Sequence, residues 1–181
     1  LKRYFPDGAP AHLSQLIDDF ITMTQLHHNP WDVRLSADEL KARLAGRESL
    51  WALFRAANDI YAETKGRALW ASKEPELFRY IKEIAVEFPT AKFVYLARDG
   101  RDVAASMLRG HLHEFHIYFA ARNWASTQRL CLQALKDPGL APRTHLLKYE
   151  DLIANPRQEV TKMMRFIGLP FEDAQLRYHE N

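Results

Sequence analysis

The sequence predicts an α/β fold, a parallel sheet flanked by helices. Three observations carry this. Short apolar runs at 68–72 (ALWAS), 93–97 (FVYLA) and 144–149 (THLLKY) suit buried strands. Helical patterns stand between them, and alternation of strands and helices favours parallel pairing. Lys73, Arg98 and Tyr149 stand where the three runs end, and ligands of parallel sheets bind outside the carboxyl ends of the strands.

The elements follow in order. Residues 12–28 place Leu13, Leu16, Ile17, Phe20 and Ile21 on one helical side, and NPW at 29–31 breaks the pattern. Ser36 and Glu39 form an S-x-x-E capping box for a short helix to about Ala45. A longer helix over about 48–65 stops at Gly66. Pro75 suits the first turn of a helix running to Phe88. After the strand at Phe93 come a helix near 100–109, a loop containing HLHEFH, and a long helix near 117–136. The last strand is followed by Asn155-Pro156, which starts a helix that Gly168 ends.

Composition narrows the function classes. The 181 residues are 47% hydrophobic and 12% aromatic, enough for one full core. A net charge of +2 implies no large basic surface for duplex nucleic acid. The single cysteine, Cys131, excludes an internal disulfide framework and reads as a small buried hydrophobe on a helix. No apolar run approaches the roughly 20 residues of a membrane span. Leu1 is not an initiator methionine, so targeting cannot be judged from the start of the chain. The cytoplasm is the default compartment, and the oligomeric state is not legible.

Arg98 ends a strand beside a helix N-terminus, and both a guanidinium fork and unpaired N–H groups favour an anion there. Ser106 lies eight residues on, about 10 Å along the helix, so a long arginine side chain and the hydroxyl can meet on one phosphate. The alternative is that Arg98 merely pairs with Asp99 or Asp102. Lys73, in ASKEPE, precedes a helix start, where a cation is repelled unless an anion is also there. It can equally be a solvated loop lysine. Tyr149 can stack on or hydrogen-bond to a base, or simply pack. His111, His113 and His116 look like a metal cluster, but no second ligand pair has a standard spacing. A polar loop near a substrate entrance, where these histidines or Glu114 titrate, fits better. Neither a Walker A sequence nor G-x-G-x-x-G nor G-x-S-x-G is present.

Together, FVYLARDGRDVAASM and HLLKYEDLIANPRQEVTKMMRFIGLPF resemble the sulfotransferase family, strongly in these two blocks and over about residues 68–181. The resemblance implies a P-loop-like sheet and 3′-phosphoadenosine 5′-phosphosulfate as donor, with 3′,5′-diphosphoadenosine as product and no metal. It implies that Arg98 and Ser106 hold the 3′-phosphate and that Tyr149 lies near the adenine. SKEP is similar to the KDP block of tyrosylprotein-type and related bacterial members, where the lysine is catalytic, so Lys73 takes that role. Cytosolic small-molecule members carry a catalytic histidine two residues after this lysine. Pro75 stands there instead, so the general base must come from elsewhere, by resemblance a glutamate ahead of Leu1.

The expected organisation is one domain over 1–181, incomplete at both ends. Residues 1–67 form a helical substrate-side region and 68–181 the nucleotide-binding part. The acceptor, a small molecule, glycan or peptide bearing a hydroxyl or amine, is not legible. Trp31, Trp51, Phe54 and Tyr61 either line its pocket or pack in the core. Two other readings stand beside sulfuryl transfer. A small kinase would need Mg²⁺ and an acidic ligand that is not identified, and a non-catalytic binding module would keep only the fold.

Overall fold

The computed structural model describes residues 12–26, 30–44, 46–73, 77–109 and 116–177. The chain divides into two compact units, Leu1–Glu74 and Pro75–Asn181.

The first unit is helical: α1 (Leu13–Leu26), α2 (Ala37–Leu44) and α3 (Leu50–Thr64). The i, i+3, i+4 spacing of α1 turns Leu16 and Ile17 inward. Its core joins them to Leu40 and Leu44 of α2 and to Leu53, Ala57 and Ile60 of α3. Ile17, Leu40 and Leu53 are completely buried; each contributes about 1.5–3 kcal/mol of burial. Ser36 accepts the Glu39 N–H at 3.5 Å, while the Glu39 carboxylate pairs with Arg43. A stronger cap is Ser49, whose hydroxyl accepts the Ala52 N–H at 3.0 Å and starts α3. Trp31 packs edge-on to Tyr61 at 5.0 Å and against the core. The Tyr61 hydroxyl donates to Asp32, which also pairs with Lys65. These two partners hold the Asp32 carboxyl below its usual range.

The expected strand at 68–72 does not form. This stretch is irregular, and Trp70 turns back onto α3 instead. Its indole N–H donates to Asp59 at 2.7 Å and its ring meets Phe54 edge-on at 5.7 Å. An aromatic inside an apolar run mimics a strand, but here a tertiary hydrogen bond decides its place. Lys73 therefore follows an irregular segment rather than a strand. Pro75 lies outside the described residues.

The second unit begins with a 3₁₀ turn, Leu77–Tyr80, and α4 (Ile81–Glu87). Strand β1 (Phe93–Ala97), α5 (Gly100–Arg109) and α6 (Ile117–Lys136) follow. Then come β2 (Thr144–Lys148), α7 (Tyr149–Ala154) and α8 (Pro156–Ile167). The strands pair in parallel, from Phe93 beside Thr144 to Ala97 beside Lys148. Side chains alternate across the pair. Tyr95 on one face donates its hydroxyl to Gln128 of α6, and His145 on the other stacks on Phe166 of α8 at 5.3 Å. Helices thus flank both faces, as the sequence predicts. Cys131 is half-buried on α6, and burial pushes its thiol up.

Two cations fasten the strands to helix ends. Arg143, just before β2, donates to the carbonyls of Ala85, Phe88 and Ala91 and covers the Phe93 ring. Lys92, just before β1, donates to the carbonyls of Phe166 and Ile167 at the end of α8, where cations complement orphan carbonyls. Gly168 closes α8 at φ +90, a conformation only glycine adopts freely. An added Cβ would meet the nearest atom, Lys92 Nζ, at an ordinary 3.6 Å, so Gly168→Ala isolates the backbone cost. We expect it to destabilise the protein by about 1–2 kcal/mol in urea unfolding. An unchanged midpoint would contradict the left-handed cap.

Candidate functional site

The parallel register sets the site. Ala97 and Lys148 are neighbours at the last rung, so the next residue of each strand, Arg98 and Tyr149, leaves the sheet at the same edge. The Arg98 guanidinium lies over the Tyr149 ring, 4.5 Å from its centroid. Tyr149 is the first residue of α7 rather than the last of a strand. Sequence reading misses α7 because six residues carry too little periodicity to announce a helix.

Asp99 does not neutralise Arg98. Its carboxylate accepts from the Arg101 backbone N–H at 2.8 Å and from that guanidinium at 3.0 and 2.7 Å. These bonds hold the Asp99 carboxyl at about 2, so it stays ionised on Arg101. Among the described residues Arg98 forms no ion pair, and its Nε is buried without an acceptor. A buried charged donor lacking an acceptor is expensive. An anion at this corner would satisfy it.

The corner has four further parts. Helix α5 begins at Gly100, so its first N–H groups open beside Arg98. Ser106 is exposed on α5, about 9 Å from the helix start. Trp124 of α6 donates its indole N–H to the Arg98 carbonyl at 3.1 Å, and Glu150 of α7 accepts the Asp99 N–H at 2.8 Å. Sequence reading misses Trp124, because its role depends on how α6 packs on the turn and no local signal carries that. Glu150 sits in the YED turn beside Tyr149, and that adjacency was the available clue. An open cleft of about 520 Å³ lies beside the turn, lined by Asp99, Gly100, Arg101, Ala104, Ile117 and Trp124 among others. Arg98, Ser106 and Tyr149 are not part of its lining.

Lys73 is exposed in the first unit. His116 caps α6, its ring Nδ1 accepting the Tyr118 N–H at 3.3 Å. His111, His113 and Glu114 lie outside the described residues. Among the described residues no group of three or more His, Cys, Asp or Glu is placed to hold a metal ion. No helix there is long and apolar enough to cross a membrane.

The sulfotransferase family model matches residues 5–173. The chain belongs to the sulfotransferase family. Relatives include the protein-tyrosine sulfotransferase of Drosophila melanogaster, 25% identical over 60% of this chain and 23% of that protein. Protein-tyrosine sulfotransferase 1 of Danio rerio is 27% identical over 60% of this chain and 32% of that protein. The chain thus spans less than half the length of the curated relatives it matches. Among solved structures, the sulfotransferase domain of the Synechococcus PCC 7002 olefin synthase superposes with a TM-score of 0.57 at 23% identity. That match covers 90% of this chain and 63% of the other. The sulfotransferase domain from the curacin biosynthetic pathway gives 0.55 at 21%, covering 90% of this chain and 64% of that one. These two likenesses establish the α/β sulfotransferase fold.

Proposed function

We propose that the protein containing this chain transfers a sulfuryl group from 3′-phosphoadenosine 5′-phosphosulfate to a hydroxyl, and that this chain supplies the 3′-phosphate corner. The observation that carries this is Arg98: a buried guanidinium Nε without an acceptor, on the Tyr149 ring, at the carboxyl edge of a parallel sheet. Family membership supports the donor.

In this reading each residue has one task. Arg98 and Ser106 hold the 3′-phosphate through charge-assisted and hydroxyl hydrogen bonds. Tyr149 supports the guanidinium and borders the adenine. Lys73 stabilises the negative charge that gathers on the oxygen between phosphate and sulfur as that S–O bond breaks. A new S–O bond forms to the acceptor oxygen, whose proton passes to a general base outside the residues assigned here. Positioning and charge stabilisation do the work, as in phosphoryl transfer. The protein-tyrosine sulfotransferase relatives favour a peptide tyrosine over a glycan or small molecule as acceptor. Residues 1–181 then serve as one sulfotransferase domain, with residues 1–67 contributing to acceptor binding.

The test uses the full-length protein and donor labelled on the sulfuryl group, offered a tyrosine peptide, a simple phenol and an oligosaccharide. We expect label on the peptide with 3′,5′-diphosphoadenosine released in equal amount. Label on none of them, with the donor left intact, would overturn the proposal.

A further inference from the structure

Three consecutive residues just after β1, Arg98, Asp99 and Gly100, are held between Trp124 and Glu150. Trp124 of α6 takes the carbonyl of Arg98, its indole N–H donating at 3.1 Å. The same indole lies against Gly100, 3.0 Å from where a Cβ would sit. Only a glycine lets a rigid aromatic approach so closely without displacing it. Glu150 of α7 takes the N–H between them, that of Asp99, at 2.8 Å. Its neighbour Tyr149 carries the guanidinium itself. Glu150 is exposed, yet its carboxyl is held below the usual range, first by that Asp99 N–H. The Asp99 charge works against this and the Arg98 charge with it.

We propose that Trp124 and Glu150 are positioning residues that fix the 98–100 turn so that Arg98 is aimed before an anion arrives. This rests on the reading of Arg98 as the 3′-phosphate ligand. An arginine free to sample its rotamers loses that freedom on binding, whereas one aimed in advance has less to lose. The two residues act through Arg98, so their effect is confined to ligands that carry the 3′-phosphate.

The experiment titrates the full-length protein with 3′,5′-diphosphoadenosine and with adenosine 5′-phosphate, and reads the ratio of the two affinities. Trp124→Phe and Glu150→Ala should each cut the wild-type ratio about three- to tenfold, the scale of one lost hydrogen bond. Only binding of the diphosphate should weaken. Glu150→Gln keeps an acceptor oxygen and should restore most of the ratio. In an Arg98→Ala background neither substitution should change it further, because coupled residues are not additive. A wild-type ratio in both single variants would overturn the proposal, as would equal weakening of both ligands, the mark of a merely structural role. If Trp124→Phe does not fold, exposed Glu150 carries the test through its Ala and Gln variants. A wild-type protein that binds both nucleotides alike overturns the reading of Arg98 itself, which separates that failure from this one.

Discussion

Replacing Lys73 with alanine in the full-length protein should lower kcat by about 10²–10³, the range for removing one preorganised stabilising group. Donor affinity should fall by less than about tenfold, or 1.4 kcal/mol. The asymmetry follows from where charge appears. If Lys73 acts as proposed, its ammonium meets its strongest partner only as negative charge gathers on the bridging oxygen, so the interaction is made in the transition state and lowers the barrier. In the proposed reading Arg98 and Ser106 carry ground-state binding through the 3′-phosphate. Lys73 is exposed, and among the described residues it forms no ion pair. No carboxylate described here competes for it. Lys73→Arg should rescue little, since a planar fork does not reproduce a compact ammonium. Single-turnover rates and donor titration on both variants decide the matter. An unchanged chemical step would leave Lys73 as an ordinary loop lysine.

Arg98→Ala carries the second large effect, about 1.5–3 kcal/mol of affinity for 3′,5′-diphosphoadenosine, the scale of a hydrogen bond to a charged group. The case against Arg98 as a ligand was that a neighbouring carboxylate neutralises it. The structure gives Asp99 to Arg101 and leaves Arg98 Nε buried without an acceptor. Arg98→Lys keeps the charge but neither the fork nor the guanidinium that lies over the Tyr149 ring, so it should recover only a minor part. Calorimetry on the three proteins measures this. An Arg98→Ala protein with wild-type affinity would remove Arg98 from the site.

How far the sequence reveals this molecule depends on which features are local. The strand Phe93–Ala97 and helices α5, α6 and α8 are legible because apolar spacing, Asn155-Pro156 and Gly168 mark them along the chain. Arg98 and Tyr149 are legible for the same reason: Arg98 directly follows an apolar run and Tyr149 ends one. What is lost is what folding decides later. Trp70 reads as a strand residue until Asp59 claims its indole. Helix α7 is too short to show a period, so Tyr149 is misplaced by one element. Trp124 carries no mark in the sequence. Only the packing of α6 across the turn brings its N–H to the Arg98 carbonyl and its ring to Gly100. Tertiary contacts of this kind override local pattern and leave no periodic trace.

The central claim is that the Arg98 corner recognises a 3′-phosphate. The most direct measurement is calorimetry of the full-length wild-type protein with 3′,5′-diphosphoadenosine and, separately, adenosine 5′-phosphate. Two ligands that differ only in that group report on this corner alone. The account predicts that the diphosphate binds at least about tenfold more tightly, a difference of 1.4 kcal/mol or more, and that added salt narrows the gap only in part, because a partly buried charge is weakly screened. Equal affinity for the two nucleotides would contradict it.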